Sequence, residues 1–243
     1  MVGANAEILG RVAAYVALDA PGDRLICIGD IHGCYEELVE LLGRLAPTPR
    51  DVVVSVGDIV TKGPAADRCL ELWRERGYRA VKGNNEIKVL DRARPLLRLF
   101  ARDRVVRRGD LLRYIESWPI VIDFPSIGVA AVHGGFLPHM RVDAETVSRA
   151  QDEIVELRWI RKKNGDWKPI PKDKKKNSDV LWAEKWKGDR FVVYGHTPLR
   201  EPKFDAHALG LDTGCVYGGA LTAAVFVNGG WATESVKARR AYV

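Results

Sequence analysis

Apolar and polar positions alternate along the first hundred residues in two rhythms. Residues 25–29 (LICIG) form a short unbroken apolar run and predict a buried strand. Residues 35–45 (YEELVELLGRL) repeat apolar positions every three to four residues, the pattern of an amphipathic helix. The alternation recurs: a strand over 52–56, a helix over 65–76 closed by Gly77 as C-cap, a short strand over 79–82, and a helical stretch from about 87 to 102. Strand–helix–strand units at this spacing imply parallel strands joined by right-handed crossovers.

The second half changes rhythm. Apolar runs at 120–124 and 129–132 flank a Pro-Ser-Ile-Gly turn and predict a hairpin. Further strands are predicted at 191–194, 208–211, 221–227 and 231–235, with Asn-Gly-Gly at 228–230 as a tight turn. A Lys-, Pro- and Asn-rich stretch at about 161–178 interrupts this run and is read as an exposed loop insertion. No internal repeat is evident. The pattern describes an α/β first half feeding a β-rich second half, one domain over 1–243.

Composition narrows the class. The 243 residues are 47% hydrophobic and 29% charged, which excludes disordered, collagen-like and small disulfide-stapled chains. There is no apolar run of membrane-spanning length, and the N-terminus lacks the leader of an exported protein, so a cytoplasmic location is expected. The four cysteines, Cys27, Cys34, Cys69 and Cys215, are widely spaced without a Cys-x-x-Cys pair, as expected of reduced thiols; none is a candidate nucleophile. The net charge of +6 is unevenly spread. Residues 161–177 and 88–113 each carry +6, leaving −6 on the rest of the chain. Two basic segments on an acidic body suggest a polyanionic partner, set against the plainer reading of two solvated faces.

Candidate chemistry lies where the predicted strands end. Asp30 and His32 follow the first strand, Asp58 the second and Asn84 the third; His133 and His196 each follow a later one. In open α/β sheets the C-terminal strand ends gather at one edge, where ligands bind. A mixture of Asp, His and Asn suits Mn, Fe, Zn or Ni. A carboxylate such as Asp58 can bridge two ions, and a two-ion site activates water and clamps a phosphoryl group. Singly, each residue is as well explained as a helix cap or a turn; five such motifs in order are not.

The order Gly29-Asp30-Ile31-His32-Gly33, Gly57-Asp58 through Thr61-Lys62-Gly63-Pro64, Gly83-Asn84-Asn85-Glu86, Val132-His133-Gly134-Gly135 and Tyr194-Gly195-His196-Thr197-Pro198 resembles the metallophosphoesterases of the PPP superfamily. That superfamily includes protein serine/threonine phosphatases and symmetrical diadenosine tetraphosphatases. Leu157-Arg158-Trp159, Trp182-Ala183-Glu184-Lys185-Trp186, and the 211–219 stretch before Leu221-Thr222-Ala223 narrow it to the ApaH-like phosphatase branch. The resemblance covers about residues 24–227. It implies a calcineurin-like fold, two packed mixed β-sheets flanked by helices, around two divalent transition metal ions, with Mn foremost and Zn, Fe, Ni or Co as alternatives. Asp30, His32 and Asp58 would hold the first ion; Asp58, Asn84, His133 and His196 the second. A metal-bridging hydroxide would attack phosphorus in line.

The sequence departs from that pattern in one functional pair. The usual Gly-Asn-His-Glu places a His as general acid, oriented by an Asp in the preceding motif; here those positions are Asn85 and Thr61. Asn supplies no proton, and general acid catalysis contributes roughly 10²–10⁴-fold. Phosphoanhydrides need it least, because they leave as stabilised phosphates through a loose transition state. The expected activity is therefore hydrolysis of polyphosphate, a dinucleoside polyphosphate or a related nucleotide, possible partners extending to capped RNA and phosphoprotein. The alternatives are a serine/threonine protein phosphatase and a non-catalytic binder of nucleotide or RNA. Lys62, in place of a phosphate-gripping Arg, is expected to contact substrate, as is Asn85, with Arg158 and Tyr217 at the rim. Trp182 and Trp186, four residues apart, are read as core packing on one helical face rather than a base-stacking platform.

Overall fold

The computed structural model describes residues 13–19, 21–93 and 104–243. In chain order the strands are β1 (Tyr15–Ala17), β2 (Leu25–Ile28), β3 (Val52–Ser55), β4 (Arg79–Ala80), β5 (Val121–Phe124), β6 (Val129–Val132), β7 (Trp159–Lys163), β8 (Asp166–Ile170), β9 (Val180–Leu181), β10 (Phe191–Tyr194), β11 (Lys203–Asp205), β12 (Ala208–Gly210), β13 (Ala220–Val227) and β14 (Gly230–Lys237). The described helices are α1 (Tyr35–Leu45), α2 (Ala66–Glu75), α3 (Asn84–Arg92), α4 (Arg104–Arg107), α5 (Gly109–Glu116), α6 (Ala144–Arg149) and α7 (Gln151–Glu156).

Two mixed sheets pack face to face. One runs β14-β13-β2-β3-β4 and the other β1-β5-β6-β10-β12-β11. As the βαβ spacing requires, β2, β3 and β4 are parallel, with Ile26 opposite Val53 and Val54 opposite Arg79. In the second sheet β6, β10 and β12 are parallel, while β5–β6 is the antiparallel hairpin expected from the Pro-Ser-Ile-Gly turn. The inner strands β2, β6, β10 and β12 are apolar on both faces because both are covered. Leu25, Cys27, Val54 and Val56 meet Phe124, Ala131, Val193 and Leu209 between the sheets. Leu38, Leu70, Trp73 and Leu111 of the helices cover the outer face of the first sheet; Val147, Ile154, Trp182 and Trp186 cover that of the second. The result is the α/β, calcineurin-like arrangement of two packed mixed sheets flanked by helices.

Three expectations need correction. The stretch at about 161–178 is not an irregular loop: β7 and β8 form an antiparallel hairpin, and β9 pairs with β7 to complete a third, small sheet. Asn164 (φ 52°) and Gly165 (φ 89°) turn that hairpin, with Lys162, Lys163 and Lys168 on its two strands, whose backbone bonds the composition concealed. Next, the helix expected from about 87 begins earlier, at Asn84, because the Glu86 carboxylate accepts the Gly83 N–H (2.8 Å) at its first turn; positions 94–102 of that expectation lie outside the described residues. Finally, Trp182 and Trp186 are not on one α-helical face. A short 3₁₀ turn spans Trp182–Glu184, and the two indoles meet edge to face with centroids 6.2 Å apart. Both are buried, as core residues and not a stacking platform.

Candidate active site

Every predicted ligand arrives at one edge, where the C-terminal ends of the parallel strands of both sheets converge. Asp30 and His32 leave β2, Asp58 leaves β3, and Asn84 opens α3 beyond β4; His133 leaves β6 and His196 leaves β10. All six side chains are buried. Their approach depends on missing side chains. A Cβ on Gly195 would collide with Asp30 Oδ1, and one on Gly83 with Asp58 Oδ1. Asp30 then accepts the His196 N–H (3.0 Å), while Asp58 accepts the Asn85 N–H (3.0 Å) and its side-chain amide N–H (2.5 Å).

The histidine tautomers follow from their partners. His32 Nδ1 lies 3.0 Å from the Val60 carbonyl, His133 Nδ1 2.9 Å from that of Val56, and His196 Nε2 3.2 Å from that of Glu156. A carbonyl only accepts, so each of these ring nitrogens carries the N–H and each ring directs its bare nitrogen inward. Burial keeps the rings neutral: it pushes the pKa of His32 down to about 4, lowers that of His133, and carries that of His196 well below the usual histidine value. Acceptors therefore face acceptors. His133 Nε2 is 3.0 Å from His196 Nδ1 and 3.3 Å from Asn84 Oδ1. The two oxygens of Asp58 divide between the groups, Oδ2 3.4 Å from His32 Nε2 and Oδ1 3.4 Å from His133 Nε2. One oxygen of Asp58 thus faces His32 and the other His133.

Such a set of converging lone pairs and carboxylates fits divalent cations of the nitrogen- and oxygen-liking transition series. Asp30, His32 and Asp58 alone bring three donor atoms within 4.8 Å of one another. The carboxylates repel: burial, then Asp212 and Asp58, raises the pKa of Asp30 well above the usual range. Asp58 stays below its usual value despite burial, the two Asn85 N–H bonds favouring its charged form.

Around the donors lies a cavity of about 1000 Å³ lined by Lys62, Lys88, Arg158, Lys172, Tyr217 and the Pro169–Pro171 segment. Lys62 Nζ is 2.7 Å from His32 Nε2 and Arg158 Nη2 3.2 Å from His196 Nδ1, both donating to the inward-facing nitrogens. Tyr217 is half exposed at the rim, its ring 5.2 Å from the Lys62 ammonium. Asn85 lies in the wall as an amide donor to Asp58, and Thr61 Oγ1 is buried without a hydrogen-bond partner among the described residues.

Two contributors escaped the sequence reading. Asp212, beyond β12, reaches the cavity and accepts the Gly214 N–H (3.0 Å); burial raises its pKa to about 6. Its signal was present, an Asp following an apolar strand, but it was absorbed into the 211–219 motif. Glu86 accepts three backbone N–H groups, from Asp58 (2.8 Å), Gly83 (2.8 Å) and Val60 (3.1 Å), lacing the Asp58 turn to the start of α3. Burial and the nearby Asp58 push its pKa up to about 7.

Fold and site together define a metal-dependent phosphoesterase. The calcineurin-like phosphoesterase family model matches residues 23–228, and the chain belongs to that family: the protein is a metal-dependent hydrolase. Its curated relatives include the asymmetrical bis(5'-nucleosyl)-tetraphosphatases PrpE of Halalkalibacterium halodurans (28% identical, covering 82% of this chain and 88% of the relative) and Oceanobacillus iheyensis (28%, 81% and 86%). A solved structure described as that of a candidate diadenosine tetraphosphatase superposes with a TM-score of 0.80 at 31% identity, covering 93% of this chain and 98% of the other. A Saccharomyces cerevisiae protein serine/threonine phosphatase shares the fold at 14% identity, with a TM-score of 0.66 over 93% of this chain and 84% of its own.

Proposed function

We propose that the protein hydrolyses the phosphoanhydride chain of dinucleoside polyphosphates, splitting a dinucleoside tetraphosphate asymmetrically into a nucleoside triphosphate and a monophosphate. The observation that carries this reading is the set of three neutral imidazoles. Each is pinned by a backbone carbonyl and turned, with Asp30, Asp58 and Asn84, toward one point beneath a cation-lined cavity. The relatives' names supply the substrate class and the asymmetry.

On this reading Asp30, His32 and Asp58 would hold one divalent ion and Asp58, Asn84, His133 and His196 a second, with Mn²⁺ foremost. When bound, such ions acidify water and neutralise charge on the phosphoryl oxygens. The chain's own residues do the rest. Lys62 and Arg158 reach the donors from the cavity side and grip phosphate, Arg158 by its planar fork and Lys62 as a point charge. Lys88 and Lys172 line the same cavity and bind phosphates further along the chain. Asn85 fixes Asp58 and supplies no proton. The leaving group is a phosphate whose conjugate acid has a pKa of about 6, so it departs unprotonated at neutral pH. A cytoplasmic setting, where thiols stay reduced, agrees with four free, buried cysteines.

The deciding experiment incubates Mn²⁺-loaded protein with diadenosine tetraphosphate, tripolyphosphate, long-chain polyphosphate and a phosphothreonine peptide, and resolves nucleotides as well as free phosphate. EDTA-treated and Asp58→Asn samples run alongside and are expected to be inactive. The proposal expects ATP and AMP in equal amounts. Two ADP would refute the asymmetry. Peptide turnover matching that of the anhydrides would make the protein a protein phosphatase, and silence on every substrate a binder.

A further inference from the structure

Outside the candidate active site, a second cluster of metal-liking side chains lies under the C-terminal segment. We propose that Cys34, Glu37 and Cys215 form a structural site for one borderline-soft divalent cation of the zinc class. The two sulfurs and a Glu37 carboxylate oxygen all lie within 4.8 Å of one another, and all three residues are buried. Cys34 precedes α1, Glu37 sits in its first turn, and Cys215 comes from the turn between β12 and β13.

Glu37 carries the argument. It is 0% exposed. Its Oε1 accepts the Arg239 N–H (2.9 Å) and the Tyr242 hydroxyl (2.8 Å), yet Oε2 has no hydrogen-bond partner among the described residues. A buried carboxylate oxygen left bare is costly unless a cation satisfies it. A disulfide between Cys34 and Cys215 would leave that oxygen as it is; a cation engages all three donors at once. Two thiolates and one carboxylate suit Zn²⁺ and not the hard oxygen-seeking ions. Binding releases the two thiol protons to solvent as the divalent ion enters.

The ion would staple two segments, the start of α1 and the turn after β12. Cys34 lies two residues beyond His32 and Cys215 three beyond Asp212. The C-terminal segment crosses the cluster through Tyr242 N–H to the Val216 carbonyl (2.9 Å) and Ala238 N–H to the Gly219 carbonyl (2.8 Å). The site thus fixes the turns that deliver His32 and Asp212, while touching no substrate.

The test is spectroscopic. The candidate active site offers nitrogen and oxygen donors only, so a near-ultraviolet thiolate-to-cobalt charge-transfer band reports on cysteine ligation alone. Full-length protein carrying Asp58→Asn is titrated with Co²⁺ under reducing conditions. A band saturating at one equivalent is expected, abolished by Cys215→Ser, weakened by Glu37→Gln, unchanged by Cys27→Ser and displaced by one equivalent of Zn²⁺. Zn²⁺ should also raise the thermal midpoint of this protein but not of the Cys215→Ser variant. If Cys215→Ser does not fold, the Glu37→Gln titration carries the test. Absence of the band, its survival in Cys215→Ser, indifference to Glu37→Gln, or an intact mass two daltons light without bound metal would each overturn the proposal.

Discussion

Five non-glycine residues of the candidate active site, His32, Asp58, Thr61, Lys62 and His196, hold φ between 46° and 67°, in the left-handed region. Each such residue costs roughly 1–3 kcal/mol and persists where surrounding structure over-determines it. Here the over-determination is visible: the His32 and Asp58 turns bond to each other through His32 N–H to the Asp58 carbonyl (2.8 Å), and Glu86 grips the Asp58 N–H. The cost secures side chains that leave a strand end and double back over it. The missing Cβ atoms serve the same purpose. Gly195→Ala should fold, as read by circular dichroism, yet bind Mn²⁺ roughly 10–100-fold more weakly by titration calorimetry, because the new methyl displaces Asp30. Asn85 makes a sharper case. The double variant Asn85→His, Thr61→Asp installs an acid and its orienting carboxylate. It should raise phosphothreonine-peptide turnover by about 100-fold in a steady-state assay while changing anhydride turnover far less. Equal gains on both substrates would contradict the leaving-group argument.

At the scale of elements, the site is held by short connections rather than long ones. Glu86 joins the turn after β3 to the first turn of α3 through three N–H bonds to one carboxylate. Glu86→Gln turns one acceptor into a donor facing those N–H groups. It should cost about 1–3 kcal/mol in urea unfolding, with Mn²⁺ affinity falling alongside. The β7–β8 hairpin is the other decisive element. Arg161 is anchored to Asp179 (2.7 Å), and Lys175 lies over the Trp159 ring (4.2 Å to its centroid), so not every cation there is free for a ligand. Lys172, with Pro169 and Pro171, faces the cavity. Neutralising Lys172, Lys174 and Lys176 together should flatten the salt dependence of kcat/KM on long polyphosphates relative to tripolyphosphate. The described residues of the other basic segment offer less. Arg108 pairs with Glu71 (2.8 Å) and Asp110 (3.0 Å), and Arg104 with Asp67 (3.8 Å), so part of its charge is spent internally while Lys88 reaches the cavity.

At the scale of the molecule, two sheets share one apolar core and each lays helices over its outer face, so the rim carrying the site is braced from both sides. The edge away from it is clasped by Arg24 and Asp51, whose carboxylate also accepts the Thr48 N–H (2.7 Å). The Arg24 bond holds the pKa of Asp51 at about 2, below the unfolded value of about 4. The contribution is therefore complete above about pH 4 and disappears as pH falls through about 2. Wild type should melt above Asp51→Asn at pH 7, and the gap in thermal midpoints should close by pH 2; a gap independent of pH would show that charge is not its source.

The periodicity of the first hundred residues contains the parallel β2–β3–β4 unit, and the order of Asp, His and Asn after strand ends contains the donor set, because both are local consequences of where apolar runs stop. Gly77 (φ 66°) past α2 and Asn228–Gly229 in the β13–β14 turn likewise follow from residue type alone. What sequence order does not contain is register across chain-distant partners. The two-residue β9 pairs back onto β7 some twenty positions earlier, so a lysine-rich stretch that locally favours solvent becomes a sheet wall. β1, three residues long, is a strand only because β5 pairs beside it, Val16 opposite Ile122. Asp212 joins the donors because β12 lies parallel to β10, and Glu37 meets Cys34 and Cys215 because α1 packs on β13. Where the apolar runs stop sets which groups end the strands and hence the chemistry on offer. Which nitrogen of each histidine faces inward and which cations reach the cavity are set by the fold, since both depend on carbonyls and carboxylates brought in from elsewhere along the chain.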